Sequence, residues 1–462
     1  MKRFFGIVVA GIIGAGSLSS IGVAKDAPYP STYQPVASNT VLLKNGTVFD
    51  GLGKAFTATD VLMKDGKVSA VGKDLVAPPG TKIIDATGKW ITPGIIDIHS
   101  HLGVYAAPSV QAHSDGNEVT SPNTAEVSAE HGVWPHDPGF NRARTGGITS
   151  LLVLPGSANL FGGRGVVLKN VPSRTVQGMK FPGAPYALKM ACGENPKRVY
   201  GQKGGPGSRM GNFAGYRKTW IKAVAYRDKW TKYRKDKAAA KPDDKKQPKK
   251  PEINLQMETL VGVLNGDIRV NMHCYRADEM AQVIDLSKEF GYKVSTFHHA
   301  IEAYKVADLL KENDTCAAMW ADWGGFKMEA YDSIRENIPM VHASGGCAIV
   351  HSDSQVGIQR LHQEAAKALA DGNKAGLNIS KAEAWSWLSS NPAKALGISQ
   401  QTGSLVVGKN ADVLLWSTDP FSVRARTEKV YIDGALLYDS ADKSRQAVSD
   451  FELGQPGEGD VK

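Results

Sequence analysis

The sequence predicts an α/β chain: a (β/α)8 barrel of the TIM type carrying a small β-sandwich built from the N- and C-terminal segments. Three observations lead there. The 462 residues exceed one small domain but suit an eight-unit barrel with a modest second domain. The middle of the chain alternates short apolar, β-rich runs with helical stretches, the pattern of βα units around a parallel sheet. Both ends have a different texture, of strands and tight turns.

The first residues are set apart from the fold. Lys2 and Arg3 precede an apolar run from Phe4 to Ala15, and Gly22 and Ala24 occupy the −3 and −1 positions of a signal-peptidase site. Residues 1–24 are therefore expected to be a signal peptide. The mature chain would begin at Lys25, in a bacterial periplasm or outside the cell, with no integral membrane segment after cleavage. From Thr40 to Trp90, VLLKNGTVFDG, VLMKDGKVSAVG and TKIIDATGKW place Asn-Gly and Asp-Gly between alternating runs, a hairpin signal. Residues 38–92 are assigned to the first part of the sandwich. Residues 93–401 form the barrel, where ITSLLVLPG, RVNMHCY, KVSTFHH, CAAMW and CAIVHSD alternate with helical segments such as ADEMAQVIDLSKEF. GSLVVGKNADVLLW and EKVYIDGALLYD return the chain to the sandwich over residues 402–446.

The net charge of +9 is local. Between Arg217 and Lys250 fourteen Lys or Arg face four Asp or Glu, a surplus of ten. The run RKDKAAAKPDDKKQPKKPE has almost no apolar side chains and reads as a solvated loop after a helix from about Asn212 to Lys237, with Trp220, Val224 and Trp230 on its apolar stripe. No aromatic residue interleaves with the later charges, which argues against nucleic acid as a partner. Cys192, Cys274, Cys316 and Cys347 all lie in or beside apolar strand-like runs, and buried thiols and disulfides both remain open.

ITPGIIDIHSH carries the most chemistry. Ile95 to Ile98 reads as a buried strand, with His99 and His101 at its C-terminal end. Residues two apart on a strand point the same way, so both imidazoles can reach one point, as a Zn²⁺ ligand pair requires. Alone, an HxH is a weak signal; after an apolar strand and a Pro-Gly turn it is stronger.

At these residues the sequence resembles the amidohydrolase superfamily across nearly the whole mature chain. TPGIIDIHSH resembles that superfamily's first barrel strand, and GSLVVGKNADVLLW after NPAKALG resembles its return to the sandwich. VLPGSANLFGGRGVVLK, HCYRADEM and HHAIEAYKVAD are similar to the imidazolonepropionase-like branch. The resemblance implies His273 as the fifth-strand ligand, His299 (with His298 as the alternative) as the sixth, and Asp353 as the eighth. For the fourth strand many members use a carboxylated lysine to bridge two metals and others a glutamate. Glu194, after Gly193, is preferred to Lys189 within the apolar run, and a helix cap is the competing role for Glu194. One or two divalent ions, zinc foremost, would then activate water, with Asp353 moving the proton to the leaving nitrogen.

Around this set, Tyr275 and Arg276 lie on the loop that follows His273, and Arg276 is a candidate carboxylate clamp. Trp320, Trp323 and Lys327 in WADWGGFKMEAY are candidate pocket residues, with Trp323 assigned to substrate binding. His351 reads as a supporting residue and His342 as unrelated. His113, His131 and His136 lie in a long connection that either shapes the pocket or merely crosses the surface. The expected activity is hydrolysis of an amide, cyclic amide or peptide C–N bond in a small molecule, with dipeptidase, deacetylase and deaminase as alternatives. A non-catalytic binding protein on the same barrel and a polyanion binder using the Lys-rich loop are the readings of other classes. Self-association into a homo-oligomer is compatible with all of them.

Overall fold

The computed structural model describes residues 29–443. The signal-peptide segment and the last residues of the second sandwich part lie outside the described residues. The chain divides into units Met1–Pro30 and Ser31–Lys462, and the second holds all the elements below.

An eight-stranded barrel sheet forms the body, with strands β6 (Ile95–Ser100), β7 (Ile148–Val153), β8 (Phe161–Lys169), β9 (Tyr186–Ala191), β10 (Ile268–His273), β11 (Val294–His298), β12 (Cys316–Met319) and β13 (Cys347–Val350) paired in chain order. The seam between β13 and β6 is closed by single bonds. Asp353 N donates to His99 O at 3.0 Å, and buried Asp97 accepts from Ser352 Oγ at 2.5 Å and Ser352 N at 3.2 Å. The result is TIM-barrel-like, with one departure from strict (β/α)8 order. β8 runs antiparallel to both β7 and β9. The connection from β7 to β8, Leu154–Leu160, is too short for a parallel crossover, which needs a dozen or more residues, so the third strand has to come back the other way.

A second eight-stranded sheet gathers β1 (Val41–Phe49), β2 (Ala55–Lys64), β3 (Lys67–Gly72), β4 (Lys82–Asp85) and β5 (Trp90–Pro93) with β14 (Val413–Trp416), β15 (Thr427–Ile432) and β16 (Ala435–Asp439). Hydrogen bonds link all eight into one sheet. Its β3 end meets the segment leading into β14, since Val68 N donates to Lys409 O and Ala411 N to Gly66 O, each at 2.9 Å. The sheet thus curls around one core that includes Leu43, Val61, Met63, Ile91 and Val413. Asp65-Gly66 and Asp433-Gly434 make the expected hairpin turns, with positive φ at both residues of each pair. Asn45-Gly46 does not turn the chain; it forms an irregularity inside β1, where the pairing with β2 slips.

The two sheets are joined by a buried charge cluster. Lys169 Nζ, at the end of β8, lies 2.7 Å from Asp433 Oδ2 and 3.7 Å from Asp412 Oδ1, and Tyr33 OH donates to Asp433 at 2.6 Å. The basic segment forms a helix, Arg209–Ala239, burying Asn212, Tyr216, Trp220 and Ala223 in its first half, with Val224 and Trp230 only half-buried. The strap beyond it turns back, placing Lys250 Nζ 5.9 Å from the Trp230 ring. No helix among the described residues is long and apolar enough to cross a membrane.

All four cysteines are paired, Cys192 with Cys274 and Cys316 with Cys347. Strand register explains both, though distance in sequence concealed it. Ala191 pairs with His273, so the next residue of each strand forms the first bond, and Cys316 and Cys347 are direct register partners.

Candidate metal centre

The C-terminal ends of the barrel strands bring His99, His101, Lys189, His273, His298, His299, His351 and Asp353 into one cluster. Two sets of ligand atoms lie within 4.8 Å of one another, His99 with His299 and His351, and His99 with His101 and Asp353. Asp353 Oδ1 is 3.2 Å from His101 Nε2 and 3.5 Å from His99 Nε2, while Oδ2 is 3.8 Å from His299 Nε2. His99 and His101 reach this point because β6 alternates and His101 continues its direction.

Hydrogen-bond direction decides which imidazole nitrogens are available. Asn271 Nδ2 donates to Arg269 O at 3.2 Å, so its Oδ1 is left to accept from His298 Nε2 at 2.8 Å. His298 Nδ1 must then accept from His99 Nδ1, 2.9 Å away, which leaves the His99 Nε2 lone pair facing Asp353. His101 Nδ1 donates to Leu154 O at 2.8 Å, which turns Nε2 toward Asp353. Both nitrogens of His298 are therefore engaged in holding His99, whereas His299 keeps Nδ1 without a partner among the described residues. Nδ1 of His273 and Nδ1 of His351 are likewise buried without partners among the described residues. Orphaned buried nitrogens are costly, and a cation would satisfy them. Burial holds His99, His273, His298 and His299 well below the usual imidazole range, with neighbouring positive groups adding to the effect, so they are neutral as ligands must be. The residues present fit a metal.

His299 and Asp353 share a further feature: each has positive φ, 56° and 50°. Side chains rarely adopt this left-handed region, and strain of this kind, about 1–3 kcal/mol, collects at functional sites.

Burial pushes the Asp353 carboxyl up, but the His101 hydrogen bond and charge, with His351 and Lys189, bring it below its ordinary value. Lys189 is fully buried, its Nζ 3.3 Å from His99 Nε2, and burial pushes its ammonium down to about 7 against the pull of Asp353. Leu188 and Met190 pack in the main core, so strand alternation turns Lys189 to the barrel interior. Glu194 lies outside the cluster. It opens the short helix Glu194–Tyr200, and its carboxylate pairs with Lys327 Nζ at 3.0 Å.

Arg276 also points elsewhere, its guanidinium held by both Asp278 oxygens at 2.9 Å. Tyr275 packs against His299, with ring centroids 5.8 Å apart, and under Lys327 Nζ at 4.1 Å. Trp320 stacks on His299 at 4.3 Å, and Trp323 lies 5.7 Å beyond it, 43% exposed. His342 is remote from the cluster; its Nδ1 accepts from Trp387 Nε1 at 3.1 Å. His113 and His136 lie beside Trp134, and His131 beside Glu130, all in the connection after β6. Three residues of the site region escaped the sequence reading: Asp97, Asn271 and Tyr105. Asp97 alone left a local trace, as a carboxylate inside an otherwise apolar strand.

Known proteins place this architecture. Residues 90–437 match the model of the amidohydrolase family. The amidohydrolase tasK of Hapsidospora irregularis is 32% identical over 410 residues, covering 84% of this chain and 41% of that protein. A dihydroorotase of Thermoanaerobacter sp. (strain X514) is 45% identical over 62 residues, 13% of this chain and 14% of that one. The chain thus spans less than half the length of these curated relatives. The crystal structure of an amidohydrolase from Thermotoga maritima MSB8 superimposes with a TM-score of 0.78 at 34% identity, covering 86% of this chain and 100% of that one. With a family match across most of its length and a His/Asp cluster able to hold metal at the strand ends, the chain belongs to the amidohydrolase family.

Proposed function

We propose that the protein is an exported, metal-dependent hydrolase that cleaves a C–N bond in an amide, cyclic amide or peptide. The observation that carries this reading is the hydrogen-bond chain from Asn271 through His298 to His99, which leaves an imidazole lone pair aimed at the Asp353 carboxylate. His99, His101, His273, His299 and Asp353 would hold one or two divalent ions, zinc foremost. The position of Lys189 supports it, once carboxylated, as the bridging ligand in place of Glu194. When bound, such a metal lowers the pKa of water to about 7 and polarises a carbonyl.

The chain's own residues do the rest. Asp353, held as a carboxylate beside His101, accepts the proton of the attacking water and returns it to the departing nitrogen. Tyr275, Trp320 and Trp323 form an apolar wall beside His299 for the substrate's body. The two disulfides support an oxidising compartment, in line with export and a periplasmic or extracellular location.

Metal analysis of the purified protein, followed by a screen of N-acyl amino acids, dipeptides and cyclic amides, tests the reading. Asp353→Asn keeps size and one coordinating oxygen but loses the base. Metal should be at least partly retained while kcat falls about 10²–10⁴-fold. An Asn variant that binds metal and turns over within a fewfold of the parent would refute the role of Asp353.

A further inference from the structure

The long connection after β6 carries a phenol whose proton meets no acceptor among the described residues. Tyr105 stands edge-on to His101, with ring centroids 5.5 Å apart, on the same side of the barrel as Asp353. Its backbone is pinned, since Tyr105 N donates to His101 O at 2.9 Å and Gln355 Nε2 donates to Tyr105 O at 2.5 Å. Its hydroxyl oxygen accepts from Asn117 Nδ2 at 2.5 Å.

The orientation of Asn117 is set independently. Ala158 N donates to Asn117 Oδ1 at 3.4 Å, which assigns the oxygen and leaves Nδ2 as the group facing the phenol. Two glycines make room for this arrangement. A Cβ on Gly116 would stand 2.2 Å from Tyr105 Cε2, and one on Gly156 would stand 2.2 Å from Asn117 Nδ2. Since Asn117 can only donate to it, the phenol cannot give its proton there. No acceptor for that proton lies within hydrogen-bond reach among the described residues. A half-buried phenol that accepts from its neighbour and keeps a free O–H is a preorganised donor.

We infer that Tyr105, oriented by Asn117, donates a hydrogen bond to the substrate's carbonyl oxygen and strengthens it as that oxygen becomes an oxyanion. The inference rests on the C–N hydrolase reading for the identity of the acceptor. No covalent step is involved: the phenol keeps its proton throughout, and the charge on the oxygen is stabilised by a dipole already in place. Such donors typically contribute 10²–10³-fold to kcat.

The test uses Tyr105→Phe, Asn117→Asp and the double variant, each metal-reconstituted. Aspartate at 117 can still accept from Ala158 N, but it turns the phenol's donor into an acceptor and captures the free proton. Two readouts apply: kcat and KM on whichever C–N substrate the parent cleaves, and calorimetric affinity for methylphosphonate, a small tetrahedral oxyanion. Tyr105→Phe should lower kcat about 10²-fold with KM within threefold, and should weaken methylphosphonate binding about tenfold. Asn117→Asp should lose nearly as much with the phenol still present, and nothing more once Phe stands at 105. Equal methylphosphonate affinity in parent and Tyr105→Phe, or an undiminished effect of Asn117→Asp in the Phe background, would overturn the inference. A parent that binds methylphosphonate through Tyr105 yet cleaves no C–N bond would instead refute the hydrolase reading and leave the donor standing.

Discussion

Among the single residues of the centre, what separates a ligand from its support is the direction of a hydrogen bond. His298 spends both nitrogens on Asn271 and His99, while His299 has an Nδ1 unpartnered among the described residues and a backbone twisted to positive φ. On the proposed assignment, His99→Ala and His101→Ala each remove most bound metal together with activity. His342→Ala, whose ring accepts a hydrogen bond from Trp387, should leave metal content unchanged. Zinc occupancy measured by atomic emission distinguishes these outcomes, and full loading of both ligand variants would place the centre elsewhere. Lys189 and Glu194 offer a sharper contrast. Lys189→Ala should lower metal stoichiometry and activity, whereas Glu194→Ala should leave Lys327 to Glu329 and Tyr275 and change metal content little. A drop in stoichiometry for Glu194→Ala alone would restore the glutamate as the bridge.

At the scale of elements, the ends of β9 and β10 are tied by Cys192–Cys274, one residue beyond His273. The bond closes a loop with a sequence separation of 82, for which loop-closure entropy suggests a stabilisation of roughly 4–5 kcal/mol. A Cys192→Ser, Cys274→Ser double variant should therefore melt several degrees lower, and calorimetry reads the shift. Because the bond abuts a candidate ligand, metal affinity should fall as well, and an unchanged melting temperature would mean that the strand ladder alone holds the two ends. The reversal of β8 belongs to the same scale. A seven-residue connection allows a return but not a parallel crossover, so its direction was determined by chain length.

For the molecule as a whole, buried neutral imidazoles make stability depend on pH. His362 packs 4.8 Å from Trp416 where a barrel helix meets the second sheet, with neither nitrogen hydrogen-bonded among the described residues, and burial pushes it down to about 4. Between pH 6.5 and 4 the unfolded chain holds this proton and the folded chain does not, so stability falls as pH falls through 6.5 and the loss is complete near 4. The shift corresponds to roughly 3 kcal/mol at most. His362→Leu should flatten the fall of melting temperature over that window while changing metal content little. An identical pH profile in parent and variant would show that water or movement satisfies the ring.

The sequence by itself determined the two kinds of texture, the placement of His99, His101, His273 and Asp353 at strand ends, and the paired turns at Asp65-Gly66 and Asp433-Gly434. These are local properties, since a period of two and a run of apolar residues say which face a side chain occupies and where a strand stops. What faces that side chain across the barrel depends on register between strands distant in sequence, and no local pattern encodes it. Tertiary structure therefore decided that Lys189 rather than Glu194 stands beside His99, that His351 joins the cluster, and that the four cysteines pair as register neighbours. It also decided the Tyr105–Asn117 pair, because the direction of a hydrogen bond is settled only when every donor around it has found its acceptor.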